Sequence, residues 1–316
     1  MAEPGQRGRR PARPPASPQA RNPSEEAEQG DEGHHHCRPG RLIRVRCRRA
    51  ADEARLRHAR LQLLHAWPML GPESTETPFD SDQNQWSHRI IDEACTAVQE
   101  RCPDLVLDVA LAREEPLEAL LTAAARSDLL VLGSRALGTL AGYFVGELGL
   151  QVMARADVPT VLIRSQQAPA AEDTGGDVVL GISLHEPCDA LARFAFDSAA
   201  RRRVSLRALH GRHLPAHAYN RGGGVEPYVA QLAKDDAQLE LTEALRSWRE
   251  KFLQVRVEEC VGMESPAPAL LHGSAGAGLL VVGRRHRHHL LSRRIGHVVH
   301  AVVHHAPCPV AVVPHE

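Results

Sequence analysis

Two segments of the chain carry glycines at a spacing that could hold an anion. The first, Leu129 to Arg164, reads LLVLGSRALGTLAGYFVGELGLQVMARADVPTVLIR. The second, Leu279 to Val313, reads LLVVGRRHRHHLLSRRIGHVVHAVVHHAPCPVAVV. Each is an apolar run, a glycine, a polar loop, a second glycine, a helix-like stretch and a last apolar run behind a proline. Gly133 and Gly146 recur as Gly283 and Gly296, and Pro159 recurs as Pro309, all at a spacing of 150 residues. A strand, a glycine-bearing loop and a helix N-terminus present backbone amides and the positive end of a helix dipole to a phosphate. The candidate contacts are Gly133, Ser134 and Gly146 in the first copy, and Gly283, Arg284, Arg285, Gly296 and His297 in the second. Arg284, Arg285, His286, Arg287, His288, His289, Arg293 and Arg294 crowd between the second pair of glycines. Basic side chains there can act as phosphate partners.

Other chemistry finds less support. His297, His300 and His304 are spaced to share one helix face. The same helix must bury Val298, Val299, Val302 and Val303, so the imidazoles read as its solvent stripe and no metal site is expected. His34, His35, His36 and Cys37 have no second ligand cluster nearby and read as part of a polar tail. There is no Ser-His-Asp order, no paired-acid motif and no Walker loop with its lysine, so no catalytic residue is expected. Cys308, between Pro307 and Pro309, reads as a small buried residue at a strand entry.

The elements that must position these residues also repeat. In the second half DVVLGIS, Asp177 to Ser183, is a buried strand. Asp189 to Arg203 is a helix with Leu191, Phe194, Ala195 and Ser198 on one face, and VSLRALH is the next strand. Tyr228 to Phe252 is a long amphipathic helix with Leu241, Leu245, Trp248 and Phe252 at helical spacing. VRVEECV is a strand, and Pro266 and Pro268 open a helix through Leu270 and Leu271. Strand and helix thus alternate four times and end on a fifth strand, which predicts a doubly wound parallel sheet.

In the first half Ile91, Cys95, Val98 and Cys102 precede Leu241, Leu245, Trp248 and Phe252 by 150 residues. LQLLHAW, Leu61 to Trp67, precedes LRALHGR, Leu206 to Arg212, by 145. AADEARLRHAR, Ala50 to Arg60, matches the tail of the second half's first helix. Upstream the match stops. The place for the first strand, residues 33–39, reads GHHHCRP, a poor strand, and RLIRVRC lies where the first helix should begin. The first 49 residues therefore read either as a decayed strand or as the product of a shifted start or frame. Residues 1–40 are rich in Pro, Arg, Gly, Ser and Glu and read as a disordered tail. The expected organisation is this tail, an N-terminally incomplete domain over 41–165, a linker over 166–176 and a domain over 177–316.

Length and composition fit two such domains. The chain has 316 residues, 43 % hydrophobic but only 3 % aromatic, so its cores must be Leu, Val and Ala. The formal net charge of −1 argues against a general nucleic-acid binder. Seven cysteines without regular spacing suggest free thiols in a reducing cytosol. No apolar run is long enough to span a bilayer, and no secretion signal is evident.

The phrases AADEARLRHARLQLLHAW, SDLLVLGSRALG and HHAPCPVAVV resemble the universal stress protein family in its tandem two-domain form, over about residues 45–165 and 177–316. The resemblance implies a five-stranded parallel Rossmann-like domain, twice, with each last strand used for pairing. The two halves are therefore expected to pack through Thr160–Ile163 and Val310–Val313, which read as short apolar sheet edges. ATP-binding members of the family carry Gly-x2-Gly-x9-Gly-Ser/Thr after the fourth strand and an Asp ending the first. Here those positions are Gly133, Ala136, Gly146 and Glu147, then Gly283, His286, Gly296 and His297. Both copies lack the middle glycine and the hydroxyl residue, and Ser183 stands for the Asp in the second. Glu147 would repel a triphosphate. The resemblance implies a cytoplasmic, non-enzymatic stress-response module with weakened loops for ATP or another adenine nucleotide. Two alternatives stay open: an ATP-binding, slowly hydrolysing member, and an interaction scaffold with no ligand.

Overall fold

The computed structural model describes residues 39–68, 78–133, 146–163, 176–185, 188–213, 226–285 and 295–316. The short Val- and Leu-rich runs of the second half form strands β5 (Val178–Gly181), β6 (Leu206–Gly211), β7 (Val257–Gly262), β8 (Leu279–Arg285) and β9 (Val310–His315). Between them run helices α5 (Asp189–Arg202), α6 (Pro227–Lys251), α7 (Pro266–Gly273) and α8 (His297–His305). Pro266 sits in the first turn of α7, where its missing amide costs nothing. The strands pair in parallel in the order β9-β8-β5-β6-β7. Alternation along β8 divides the core between the two faces of this sheet. Leu279 and Val281 join Phe196, Leu241, Leu245 and Trp248 on one face. Leu280 and Val282 join Leu270, Val299, Val302 and Val303 on the other. Strands buried on both faces explain the unbroken apolar runs. Within α5, Leu191, Ala195 and Ser198 are buried as expected, whereas Phe194 is only partly buried and Phe196 is fully buried beside them.

The first half contributes α1 (Pro39–Arg57), β1 (Leu61–Ala66), α2 (Pro78–Arg101), β2 (Leu107–Ala112), α3 (Pro116–Ala124), β3 (Leu130–Gly133), α4 (Glu147–Arg155) and β4 (Thr160–Ile163). Helix α4 precedes α8 by 150 residues at both ends, as β2 precedes β7. The stretch Arg41 to Cys47 is helical, and α1 begins at Pro39, inside the residues read as tail. Four of the expected five strands are described in this half, and they fall into two groups. Among the described residues, strands β1 and β2 pair only with each other, while β3 and β4 belong to a seven-stranded sheet ordered β3-β4-β9-β8-β5-β6-β7. Residues 33–38, where a first strand was sought, lie outside the described residues. No described strand therefore holds β5's place between β1 and β3.

Strands β4 and β9 lie side by side and antiparallel, so neither is a sheet edge. The register pairs Thr160 with Val312, Val161 with Ala311 and Leu162 with Val310. Helices α1 and α5 also meet. The buried Glu53 carboxylate accepts from Arg57 on its own helix and ion-pairs with Arg202 of α5. Burial pushes the Arg202 guanidinium down to about 10. Arg201 adds a 3.2 Å hydrogen bond to the Leu56 carbonyl.

Candidate functional site

In a doubly wound sheet a cleft opens at the carboxyl ends of the strands where the crossovers change face. Here that point lies between β5 and β8, because α5 packs on one face and α8 on the other. A cavity of about 720 Å³ occupies it. Gly181, Ile182 and Ser183 at the end of β5 form one wall. His210, Gly211 and Arg212 follow from β6, Gly283, Arg284 and Arg285 from β8, and Ile295, Gly296 and His297 from the start of α8. Leu191, Leu209, Leu270, Val282 and Val299 supply an apolar lining.

Gly296 is the N-cap of α8, with φ −64° and ψ 157°, a conformation open to any residue. A Cβ added there would meet nothing within 4 Å, so the protein's own packing does not require glycine. The open space adjoins the unpaired amides of the first turn, which carries no acidic residue. Gly283 has a different reason. A Cβ there would come within 2.6 Å of His315 Nε2 and 3.3 Å of Leu191 Cδ2. Its hydrogen makes room for the end of β9 and for α5.

The cationic side chains divide. Arg284 is only 6 % exposed, and its guanidinium turns to the first half. It donates to the Ala154 carbonyl at 3.1 Å and to the Ala156 carbonyl, closing the C-terminus of α4. The expected role of its side chain as a phosphate partner gives way to this helix cap, although its backbone lines the cavity. Arg285 is exposed at the rim and His297 is exposed at the helix start. The basic residues 286–294 lie outside the described residues. Two cavity groups were not singled out in the sequence. Arg212 Nη1 is enclosed without a hydrogen-bond partner among the described residues. His210 is buried, its Nδ1 2.9 Å from the Ile182 carbonyl. The signal for both was the match of LRALHGR to LQLLHAW, which sets them at the carboxyl end of a central strand.

Among the described residues the first copy does not repeat this assembly. Gly146 caps α4 with the same open space, but Glu147 follows it and accepts from Gln151 at 2.9 Å. Ser134 lies outside the described residues. At Gly133 the Arg46 side chain presses against the α-carbon, where the second half has Leu191 against Gly283. Arg46 and Leu191 are separated by the same 145 residues as β1 and β6.

Among the described residues no group of three His, Cys, Asp or Glu side chains could hold a metal. The rings of His300 and His304 meet in a tilted contact with centroids 4.5 Å apart, and His304 is buried rather than in a solvent stripe. The six described cysteines are free thiols. Burial pushes the Cys47 thiol up to about 11, far from a nucleophile's range. Cys308 is 3 % exposed at the entry to β9.

A doubly wound sheet, a cleft at its switch point and a glycine-capped helix facing that cleft define an α/β module in the second half, and the first half repeats its elements from β1 to β4. The universal stress protein family model matches residues 46–164 and 176–314, and the chain belongs to that family in tandem form. It is similar to the universal stress protein Rv2005c of Mycobacterium tuberculosis, 29 % identical over 274 residues, covering 83 % of this chain and 90 % of the relative. A universal stress protein of Mycolicibacterium smegmatis is 27 % identical over 276 residues, covering 84 % and 90 %. Among solved structures, a universal stress protein from Archaeoglobus fulgidus matches 86 % of this chain and 93 % of its own with a TM-score of 0.62 at 14 % identity. A second from Pseudomonas aeruginosa matches 84 % and 86 % with a TM-score of 0.51 at 15 % identity. These two likenesses concern the fold alone.

Proposed function

We propose that the chain is a non-enzymatic, cytoplasmic stress-response module whose second half binds an adenine nucleotide weakly and whose first half does not. Its domains span 41–165 and 177–316, joined by a linker over 166–176. The observation that carries the reading is Arg212 Nη1, an enclosed donor without a hydrogen-bond partner among the described residues, in a cavity that also faces the N-terminus of α8. A buried unpaired donor is costly, and an anion would satisfy it. The apolar lining suits the base of a nucleotide. Weak binding follows from the absent middle glycine and hydroxyl residue of the second loop and from the use of Arg284 elsewhere. The antiparallel fit of β4 and β9 supports self-association through last strands, here satisfied within one chain. A net charge of −1 supports no nucleic-acid role. Among the described residues no helix is long and apolar enough to cross a membrane.

Thermal unfolding with ATP, AMP and cyclic AMP tests the reading. A nucleotide at 100 times its dissociation constant should add about 2.7 kcal/mol of stability. No shift with any of them would replace this reading by a ligand-free scaffold. ADP release above the buffer rate would overturn the non-enzymatic part.

A further inference from the structure

The cavity of the second half offers an anion two places, and they lie apart. One is the start of α8, where the first-turn amides adjoin open space and no acidic residue stands. The other is the carboxyl end of β6. Leu206 and Ala208 pack with Phe196 and Leu241 of α5 and α6, whereas Leu209 packs on the opposite face with Leu270 and Val299. The Arg212 amide still donates to the Gly262 carbonyl at 2.9 Å, so the backbone stays extended beside β7. Alternation therefore sends His210 and Arg212 out together on the α5 side. His210 is 6 % exposed, and its Nδ1 donates to the Ile182 carbonyl at 2.9 Å, which leaves Nε2 for a ligand. Arg212 Nη1 is enclosed without a hydrogen-bond partner among the described residues. Helix α8 packs on the other face of the sheet. The strand order β8-β5-β6 adds two strand spacings between the two places, on the order of 10 Å. His210 is held to the end of β5 by its own hydrogen bond and cannot swing to α8. One phosphate group does not serve both ends.

We propose that this cavity takes a nucleotide phosphorylated at two separate positions of its ribose. One phosphate sits at the start of α8 and the other on His210 and Arg212. The proposal rests on the reading of the cavity as a nucleotide site and adds the second phosphate to it. Among the described residues that line the cavity none is Asp or Glu and five are histidines, a lining suited to more than one negative group. A phosphate beside His210 favours the charged imidazole, whose Nε2 then donates to it. Arg212 adds a charge-assisted hydrogen bond from a donor that is already desolvated. Trp67 stands in Arg212's place in the first half, 145 residues earlier, so the preference belongs to the second half.

The probes are adenosine 3′,5′-bisphosphate, ADP and AMP, each titrated calorimetrically into the full-length protein. ADP carries as many phosphates as the bisphosphate, but joined in one chain. The bisphosphate should bind about tenfold or more tightly than either, the worth of one further charge-assisted contact. Arg212→Gln should remove that advantage and bring the bisphosphate level with ADP. Arg212→Lys, which keeps the charge and loses the fork, should retain part of it. Equal affinity of wild-type protein for the bisphosphate and ADP overturns the second phosphate site and leaves the nucleotide reading standing. An advantage that survives Arg212→Gln in full overturns the assignment to β6. Absence of binding by all three nucleotides overturns both. Should Arg212→Gln fail to fold, the wild-type comparison and the lysine variant still decide.

Discussion

Arg284 donates a 3.1 Å hydrogen bond to the carbonyl of Ala154, so a residue of the second half closes the last turn of a helix in the first. A helix C-terminus carries partial negative charge and unpaired carbonyls, and a guanidinium answers both. Replacing Arg284 by Met should cost about 3 kcal/mol in urea unfolding, since a charged donor to two carbonyls is lost. Nucleotide affinity should change by less than about threefold, within the noise of an indirect effect. A large loss of affinity with little loss of stability would place the guanidinium in the cavity instead.

Arg212 and Glu147 should control the two pockets separately. Arg212→Ala removes a charge-assisted contact and should weaken nucleotide binding by about 1.5–3 kcal/mol in calorimetry. Raised salt should weaken wild-type binding too. Glu147→Ser should improve binding by the first half relative to wild type. Hydrogen exchange that shows nucleotide protecting the first half better than the second would reverse the ranking.

Gly283 and Gly296 should answer substitution differently, although both were read as parts of one cradle. Gly296→Ala should change stability by less than about 1 kcal/mol, because its Cβ enters open space, and should lower nucleotide affinity. Gly283→Ala should destabilise, because its Cβ meets His315 and Leu191. Equal stabilities of the two variants would show that the end of β9 yields freely.

Glu53 holds α1 to α5 through Arg57 and Arg202. Removing one partner of a buried ion pair leaves the others uncompensated, so Glu53→Gln should cost about 3–5 kcal/mol. Near-wild-type unfolding of that variant would show that water reaches the site.

Burial pushes the His65 imidazole below its ordinary 6.5. The folded state therefore resists a proton that the unfolded state accepts. His65's contribution is full above about pH 6.5 and is lost as the pH falls through the lower folded value. The free protein should lose stability on acidification below 6.5, and His65→Phe should flatten that loss. An unchanged slope in the variant would assign the acid sensitivity to other groups.

The period of Leu, Val and Gly made the second half legible from sequence, because a strand covered on both faces must be an unbroken apolar run. The repeat then located α2, α3 and α4 to within a residue or two, with α4 and α8 sharing their bounds at 150 residues, while α1 starts earlier than its counterpart α5 implies. What sequence could not give was direction. Arg284 and Arg285 look alike between glycines, yet they are neighbours on a strand, so their side chains leave opposite faces. One reaches α4 and the other the cavity rim. Arg212 was hidden for a related reason, since a lone arginine after a strand has no motif until the cavity is assembled around it. At the N-terminus the alternating RLIRVRC became part of a helix, because its continuation through Ala50 and Ala51 packs beside α2 and no strand partner fixes it extended.

The pairing of β4 with β9 has a further consequence. Under the 150-residue repeat Val310 stands for Thr160 and Val312 for Leu162, so the observed register places each position opposite the repeat-mate of its partner's reflection. Val161 and Ala311, one the counterpart of the other, face each other at the centre. That is an isologous contact, the kind a two-fold axis generates, made by one polypeptide with itself. Tethering turns the encounter into an intramolecular one that no dilution can reverse. It also frees the halves to diverge, since Arg284 can reach across to α4 without any obligation for its mirror position to do the same. A homodimer would have to change both pockets together. This chain has kept the symmetry at the seam and given it up at the sites.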